Sequence, residues 1–192
     1  MALQTCLEII FSTAKIKQNI ADLEMAANLG IEKNVTYATN TISRKFMPYL
    51  IGACDIYAAP SRLEGFGMPQ VEAGACEKPV IGIRAMGMLD TLLHEETSFL
   101  ANVAKTIVVD QVILGDESGF EGKHRVVFKE PRTVDYRADV HDIGKYLMIL
   151  MNDAGLREKM GKAARERVVK YFDYRVVARQ FLQIIRDKLG IE

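Results

Sequence analysis

The chain has 192 residues, the size of one domain or one and a half. Lysine plus arginine and aspartate plus glutamate each total 25, so the formal net charge is zero, which excludes a strongly basic nucleic-acid binder and an acidic tail protein. Hydrophobic residues at 49% and charged residues at 26% can build a buried core, while 14 glycines and 5 prolines exclude collagen-like and low-complexity chains.

The apolar run Leu7–Phe11 predicts a first strand. Ile16, Ile20, Leu23 and Ala27 follow at helical spacing and stop at Asn28-Leu29-Gly30. Val35–Ala38 reads as a second strand. Ser43 is placed to cap a helix through Phe46, Met47, Leu50 and Ile51, with Pro48 early enough that its missing N–H costs little. Asp55–Pro60 predicts a third strand, ended by its proline. Pro69–Cys76 predicts a helix, Pro79–Ile83 a fourth strand, Leu89–Leu93 a short helix and Ser98–Leu100 a further strand. Strand and helix alternate at these intervals, which argues for an α/β fold, a doubly wound and mostly parallel sheet.

Residues 101–139 break that rhythm. Two glycine-bearing loops surround the apolar runs Ile107-Val108-Val109 and Val126-Val127-Phe128, which reads as an insertion or small hairpin. Three helical segments close the chain, at Ile143–Met151, Leu156–Val169 and Arg175–Leu189. The second carries a basic run from Arg157 to Lys170, interleaved with Glu158 and Glu166, which reads as a solvated face.

Cys6, Cys54 and Cys76 stand 48 and 22 residues apart, with no CxxC. That spacing fits no metal knuckle, and apolar neighbours make each a small buried hydrophobe in a reducing compartment. His94, His124 and His141 are scattered without metal spacing and read as surface or structural groups. No apolar run reaches the roughly 18 residues of a membrane span. The start of the chain shows no secretory pattern, so the protein reads as cytoplasmic.

The informative segment is Glu64-Gly-Phe-Gly-Met-Pro-Gln-Val-Glu72, which joins a strand end to a helix start. Ligands of open α/β sheets bind outside the carboxyl ends of the strands. Gly65 and Gly67 let the backbone approach a ligand. The N–H groups of Phe66, Gly67 and Met68 precede a helix, where unpaired amides and the helix dipole favour an anion. Carboxylates accept hydrogen bonds from hydroxyl pairs. Two of them, with seven residues between, flank this cradle and suit a nucleoside diphosphate sugar. The segment lacks the third glycine of GxGxxG, which disfavours a nicotinamide-dinucleotide fold.

This segment resembles the E-x7-E motif of retaining glycosyltransferases of the GT-B architecture, the group 1 or family 4 type. Ala53–Ser61 resembles the lead-in A-C-D-V-F-V-x-P-S, and Glu72–Gly82 resembles E-A-M-A-C-G-K-P-V-V-A. Glu95–Leu100 resembles D-G-E-T-G-L-L, Met86-Gly87 stands where the family has paired glycines, and Phe172-Asp173-Tyr174 resembles its F-S-W junction.

The resemblance implies a Rossmann-like domain, the C-terminal half of a GT-B enzyme, that binds a nucleotide-diphosphate sugar. The reaction implied is retaining transfer of a hexosyl group to an acceptor hydroxyl, without a metal or other cofactor. By position, Glu64 is the catalytic acid that contacts donor-sugar hydroxyls. Gly65, Phe66, Gly67 and Met68 form the donor-binding turn. Glu72 binds the ribose hydroxyls, and the turn at Asn40-Thr41-Ile42 lies near the base.

The resemblance also implies what is absent. A complete GT-B enzyme is about twice this length. The chain opens at a position resembling the second strand of the C-terminal domain, without the N-terminal acceptor domain and without the Arg and Lys that neutralise the leaving diphosphate. The expected domains are therefore an incomplete donor domain over 1–172, with its insertion near 101–139, and a helix over 173–192 that packs on a missing N-terminal domain or self-associates. Such a chain is expected to be inactive alone. The alternative is a non-catalytic remnant or one subunit of a split enzyme.

Overall fold

The computed structural model describes residues 9–12, 23–38, 42–115 and 122–190. It divides into two compact units, Met1–Met47 and Pro48–Glu192. In the first, β1 (Ile9–Ser12) runs parallel to β2 (Val35–Ala38), with Ile9 opposite Val35 and Ser12 opposite Ala38. Residues 23–28 are helical (α1), and a single 3-10 turn at Glu32–Asn34 leads into β2. Leu7, Glu8, Ile16 and Ile20, which the sequence assigns to the first strand and helix, lie outside the described residues. Ser43 does not cap a helix: its carbonyl accepts from the Phe46 N–H at 2.8 Å to close a turn, and α2 (Met47–Ala53) starts only afterwards.

The second unit is built on three parallel strands. β4 (Val80–Ile83) is buried at every residue, as expected of a strand covered on both faces, and it lies between β3 (Tyr57–Ala58) and β5 (Ser98–Ala101). The third strand is shorter than its sequence suggests at both ends, although the Ala59 N–H still donates to the Ile81 carbonyl at 2.9 Å. α3 (Met68–Ala75) joins β3 to β4, and α4 (Met88–Thr91) lies between β4 and β5.

Residues 101–139 form no further crossover. β6 (Val103–Leu114) and β7 (His124–Ala138) make a long antiparallel hairpin. Val109 faces Arg132 and Gln111 faces Val127, so β7 bulges across 128–131. Pro131 sits in that bulge, where no ladder N–H is needed.

Three aspartates start the last three helices. Asp139 Oδ1 accepts from the N–H groups of His141 and Asp142 ahead of α5 (Val140–Asn152). Asp153 does the same for Leu156 in α6 (Ala154–Tyr171), and Asp173 for Arg175 in α7 (Tyr174–Leu189). α5 covers the strands through a core of Ile81, Phe99, Ala101, Tyr146, Leu150 and Met160, in which the rings of Phe99 and Tyr146 stack 4.6 Å apart.

The basic run on α6 is not simply a solvated face. Arg157 donates to the carbonyls of Leu150 and Met151, Arg165 to that of Ala75, and Arg167 to those of Asp90 and Thr91. Three arginines of one helix thus satisfy carbonyls at the C-terminal ends of α5, α3 and α4, where helices leave acceptors unpaired and carry partial negative charge. Gly161 permits the approach: a Cβ there would stand 2.1 Å from the Glu77 carbonyl oxygen.

The cysteine reading is corrected in part. Cys54 and Cys76 are half-buried rather than buried, with both thiols pushed up by desolvation, and Cys6 lies outside the described residues. No residue of α7 is buried. Among the described residues, no helix is long and apolar enough to cross a membrane.

Candidate functional site

The loop after β3 and the start of α3 form one turn. Gly67 is the N-cap of α3 and takes φ +86°, a left-handed conformation that a side chain would strain. A Cβ on it would also press to 3.2 Å from Gln70 Oε1. Pro69 is the second helical residue, where its lost N–H would have been unpaired anyway. Gly67 is itself buried, between an exposed Phe66 and an exposed Met68 that opens the helix.

Glu64 turns back onto this turn. Its Oε1 accepts the Gly67 N–H at 3.0 Å, which leaves the second carboxylate oxygen for another donor. This alters one expectation. The Gly67 amide does not face outward for an anion, because Glu64 already holds it. Among the described residues no acceptor is found for the N–H groups of Phe66 and Met68. Phe66 and Met68 are exposed and Glu64 is half-buried.

A second loop braces the first. The Gly87 N–H donates to the Glu64 carbonyl at 3.3 Å, and a Cβ on Gly87 would stand 2.1 Å from the Gly65 carbonyl oxygen. Only glycine fits between the loop after β4 and the turn at Glu64–Gly67. Met86 beside it takes φ +53°.

Glu72 is exposed on α3, one turn beyond the N-terminus. Both Glu72 and Glu64 act on the phenol of Tyr57, which burial raises first, followed by the charges of Glu72, Cys54 and Glu64. The two acids of the motif therefore share one electrostatic neighbourhood at the end of β3. Sequence reasoning treated Tyr57 as a strand residue only, and nothing in its local pattern marks it otherwise. Gln70 is a second residue it missed. Gln70 is 1% exposed, its Nε2 reaches the Ala59 carbonyl and Ser61 Oγ at 3.4 Å, and its Oε1 has no partner among the described residues.

Asn40 and Thr41, expected near the base, lie outside the described residues. A shallow depression lined by Glu77, Lys162, Arg165, Glu166, Val169 and Lys170 does not include the motif. Among the described residues, no group of three or more His, Cys, Asp and Glu is arranged to hold a metal.

Residues 23–108, rather less than half the chain, match the family model described as glycosyl transferases group 1, and the paired acids fall inside the match. This segment is similar to group 1 glycosyltransferase domains. Similar proteins include N-acetyl-alpha-D-glucosaminyl L-malate synthase of Bacillus anthracis, 26% identical over 168 residues, which are 87% of this chain and 34% of that protein. Among solved structures, sucrose-phosphate synthase from Thermosynechococcus elongatus superposes with a TM-score of 0.70 at 18% identity, covering 96% of this chain and 39% of that one. Anabaena HepE, solved in complex with UDP, gives a TM-score of 0.66 at 19% identity, covering 94% of this chain and 41% of that one. The α/β fold with its parallel strands thus matches the C-terminal domain of GT-B glycosyltransferases. The chain spans about a third of the curated relative and about two fifths of each structure.

Proposed function

We propose that the chain is the nucleotide-sugar-binding part of a retaining glycosyltransferase, which passes a hexosyl group from a diphosphate to an acceptor hydroxyl. In this reading residues 1–172 are the donor domain, and 173–192 are a helix that packs on an N-terminal acceptor domain. The free Glu64 oxygen meets a hydroxyl of the donor sugar. The amides of Phe66 and Met68 take the diphosphate, with the α3 dipole behind them. Glu72 binds the ribose hydroxyls. Gly65 and Gly67 keep the backbone close to the ligand.

One observation carries the reading. An acid holds its own turn by the Gly67 amide and leaves two flanking amides without acceptors at a helix N-terminus. Such groups stabilise charge that develops on a leaving diphosphate. The UDP complex of HepE, a protein of the same fold, supports a nucleotide ligand.

The test is calorimetric titration of the chain with UDP-, GDP- and ADP-sugars. One base is expected to bind, and Glu72→Gln is expected to weaken it by about tenfold through a lost charged hydrogen bond. No heat with any donor overturns the reading. Addition of an N-terminal acceptor domain is expected to give turnover. Binding without turnover after that addition selects the non-catalytic alternative.

A further inference from the structure

The β6–β7 hairpin lies outside the parallel strands yet is tied to the donor turn. Asp135 on β7 is 4% exposed. Its two carboxylate oxygens receive the Arg62 guanidinium, with Nε at 2.9 and 2.8 Å and Nη2 also on Oδ2. Arg137 Nη2 adds a second cation 3.2 Å from Oδ2. The main chain closes the link, since the N–H of Tyr136 donates to the Arg62 carbonyl at 2.9 Å. These partners are 73 residues apart in sequence, and Arg62 stands two residues before Glu64.

A buried carboxylate needs its cations, and a forked guanidinium fixes orientation as well as distance. The hairpin therefore holds the donor turn from one side, at Arg62. The Gly87 loop holds it from the other, at Glu64 and Gly65. The second anchor is Glu64 itself, whose carboxylate the proposed function assigns to the donor sugar.

We propose that Asp135 is a positioning residue, acting through Arg62 to set where Glu64 stands. The hairpin is then a strap on the donor site rather than a decoration of the fold. The donor consequence rests on the proposed function above, whereas the strap itself is a property of the ligand-free chain.

The experiment compares the whole chain with Asp135→Asn and with Arg62→Met, whose guanidinium is largely exposed and whose loss leaves Arg137 as the cation on Asp135. Residue-resolved amide exchange is read at Gly67 and Gly87, both held by Glu64, and at Ile81 and Gly82 in β4. The Gly67 and Gly87 amides are expected to exchange at least about tenfold faster in both variants, with β4 unchanged, because the opening is local. UDP-sugar affinity is expected to fall by about tenfold in both, as a charge-assisted fork is lost. Unchanged exchange at Gly67 in both variants overturns the strap. Acceleration at β4 to the same degree in both also overturns it, since the pair would then act on global stability. Faster exchange at an unchanged affinity, where the native chain does bind, overturns the positioning role. Faster exchange in a chain that binds no nucleotide supports the strap and sinks the donor reading instead.

Discussion

The ring of Phe66, in the turn ahead of α3, meets the ring of Phe172 edge-on, with centroids 5.7 Å apart and planes at 87°. Phe172 stands at the junction between α6 and α7, and the guanidinium of Arg167 lies over it at 5.6 Å. The same Arg167 donates to the carbonyls of Asp90 and Thr91 at the end of α4. The turn ahead of α3, the short helix after β4 and the root of the last helix are thus linked by one ring pair and one arginine. A double-mutant cycle on Phe66→Ala and Phe172→Ala, read by urea unfolding, is expected to give a coupling of about 0.5–1.5 kcal/mol. Additive losses would show that the rings merely adjoin.

Among the described residues, three other than glycine take positive φ: Glu77 at 59°, Met86 at 53° and Glu95 at 65°. Each stands where the glycosyltransferase pattern matched above has glycine. An L side chain in this region costs about 1–2 kcal/mol, part of which a glycine returns as entropy in the unfolded chain. Met86→Gly is expected to raise the unfolding free energy by up to about 1 kcal/mol. Met86 is the cleanest test because its side chain is exposed, whereas Glu77 also pairs with Arg165 at 3.5 Å. A destabilised Met86→Gly chain would mean that the methionine has a packing role outweighing the strain.

These residues also show what the sequence could reveal. Val80–Ile83 reads as a buried strand because a continuous apolar run has few other uses, and Met68-Pro69 reads as a helix start because proline is tolerated there. The turn from Glu64 to Gly67 ahead of the helix was legible because its glycine signals are local. The fork between Arg62 and Asp135 was not, since neither residue carries a periodic or motif signal and the contact forms only once β7 folds back. The three arginines of α6 looked like a solvated face for the same reason: their acceptors are backbone carbonyls on other helices, and no residue type announces those.

His94 makes a pH prediction with a definite sign. Its Nδ1 accepts the Leu100 N–H at 2.9 Å, and its ring meets Phe99 and Tyr146 at 6.0 and 5.8 Å. Burial lowers its pKa below the ordinary 6.5, Arg84 and Lys145 add to this, and Glu95 and Asp142 oppose it. The unfolded chain therefore binds the proton more readily than the folded one. The stabilisation is complete above pH 6.5 and is lost as pH falls through the depressed value. Asp135, held low by Arg62, acts in the same direction but only below its ordinary 3.8. Urea midpoints are expected to decline in two separate acid windows. His94→Gln is expected to remove the upper one and leave the lower, and a midpoint flat from pH 7 to 5 would contradict the role given to His94.

The last helix poses a packing question. Asp173 caps α7, so its start is satisfied locally, yet its apolar stripe has no cover. Val177, Phe181, Ile184 and Ile185 are 47%, 62%, 57% and 36% exposed. Covering an aliphatic or aromatic side chain of this size is worth about 1.5–3 kcal/mol when complete, so a contiguous stripe of four favours association over solvation. Sedimentation is expected to show mass rising with concentration, and Phe181→Glu with Ile184→Lys is expected to return a single monomer without loss of helix content. Association that survives both charges would place the contact elsewhere, on the exposed valines and isoleucine of the hairpin, at Val108, Ile113 and Val127. A native chain that sediments as a monomer at every concentration would show that solvent covers the stripe of α7 at no measurable cost.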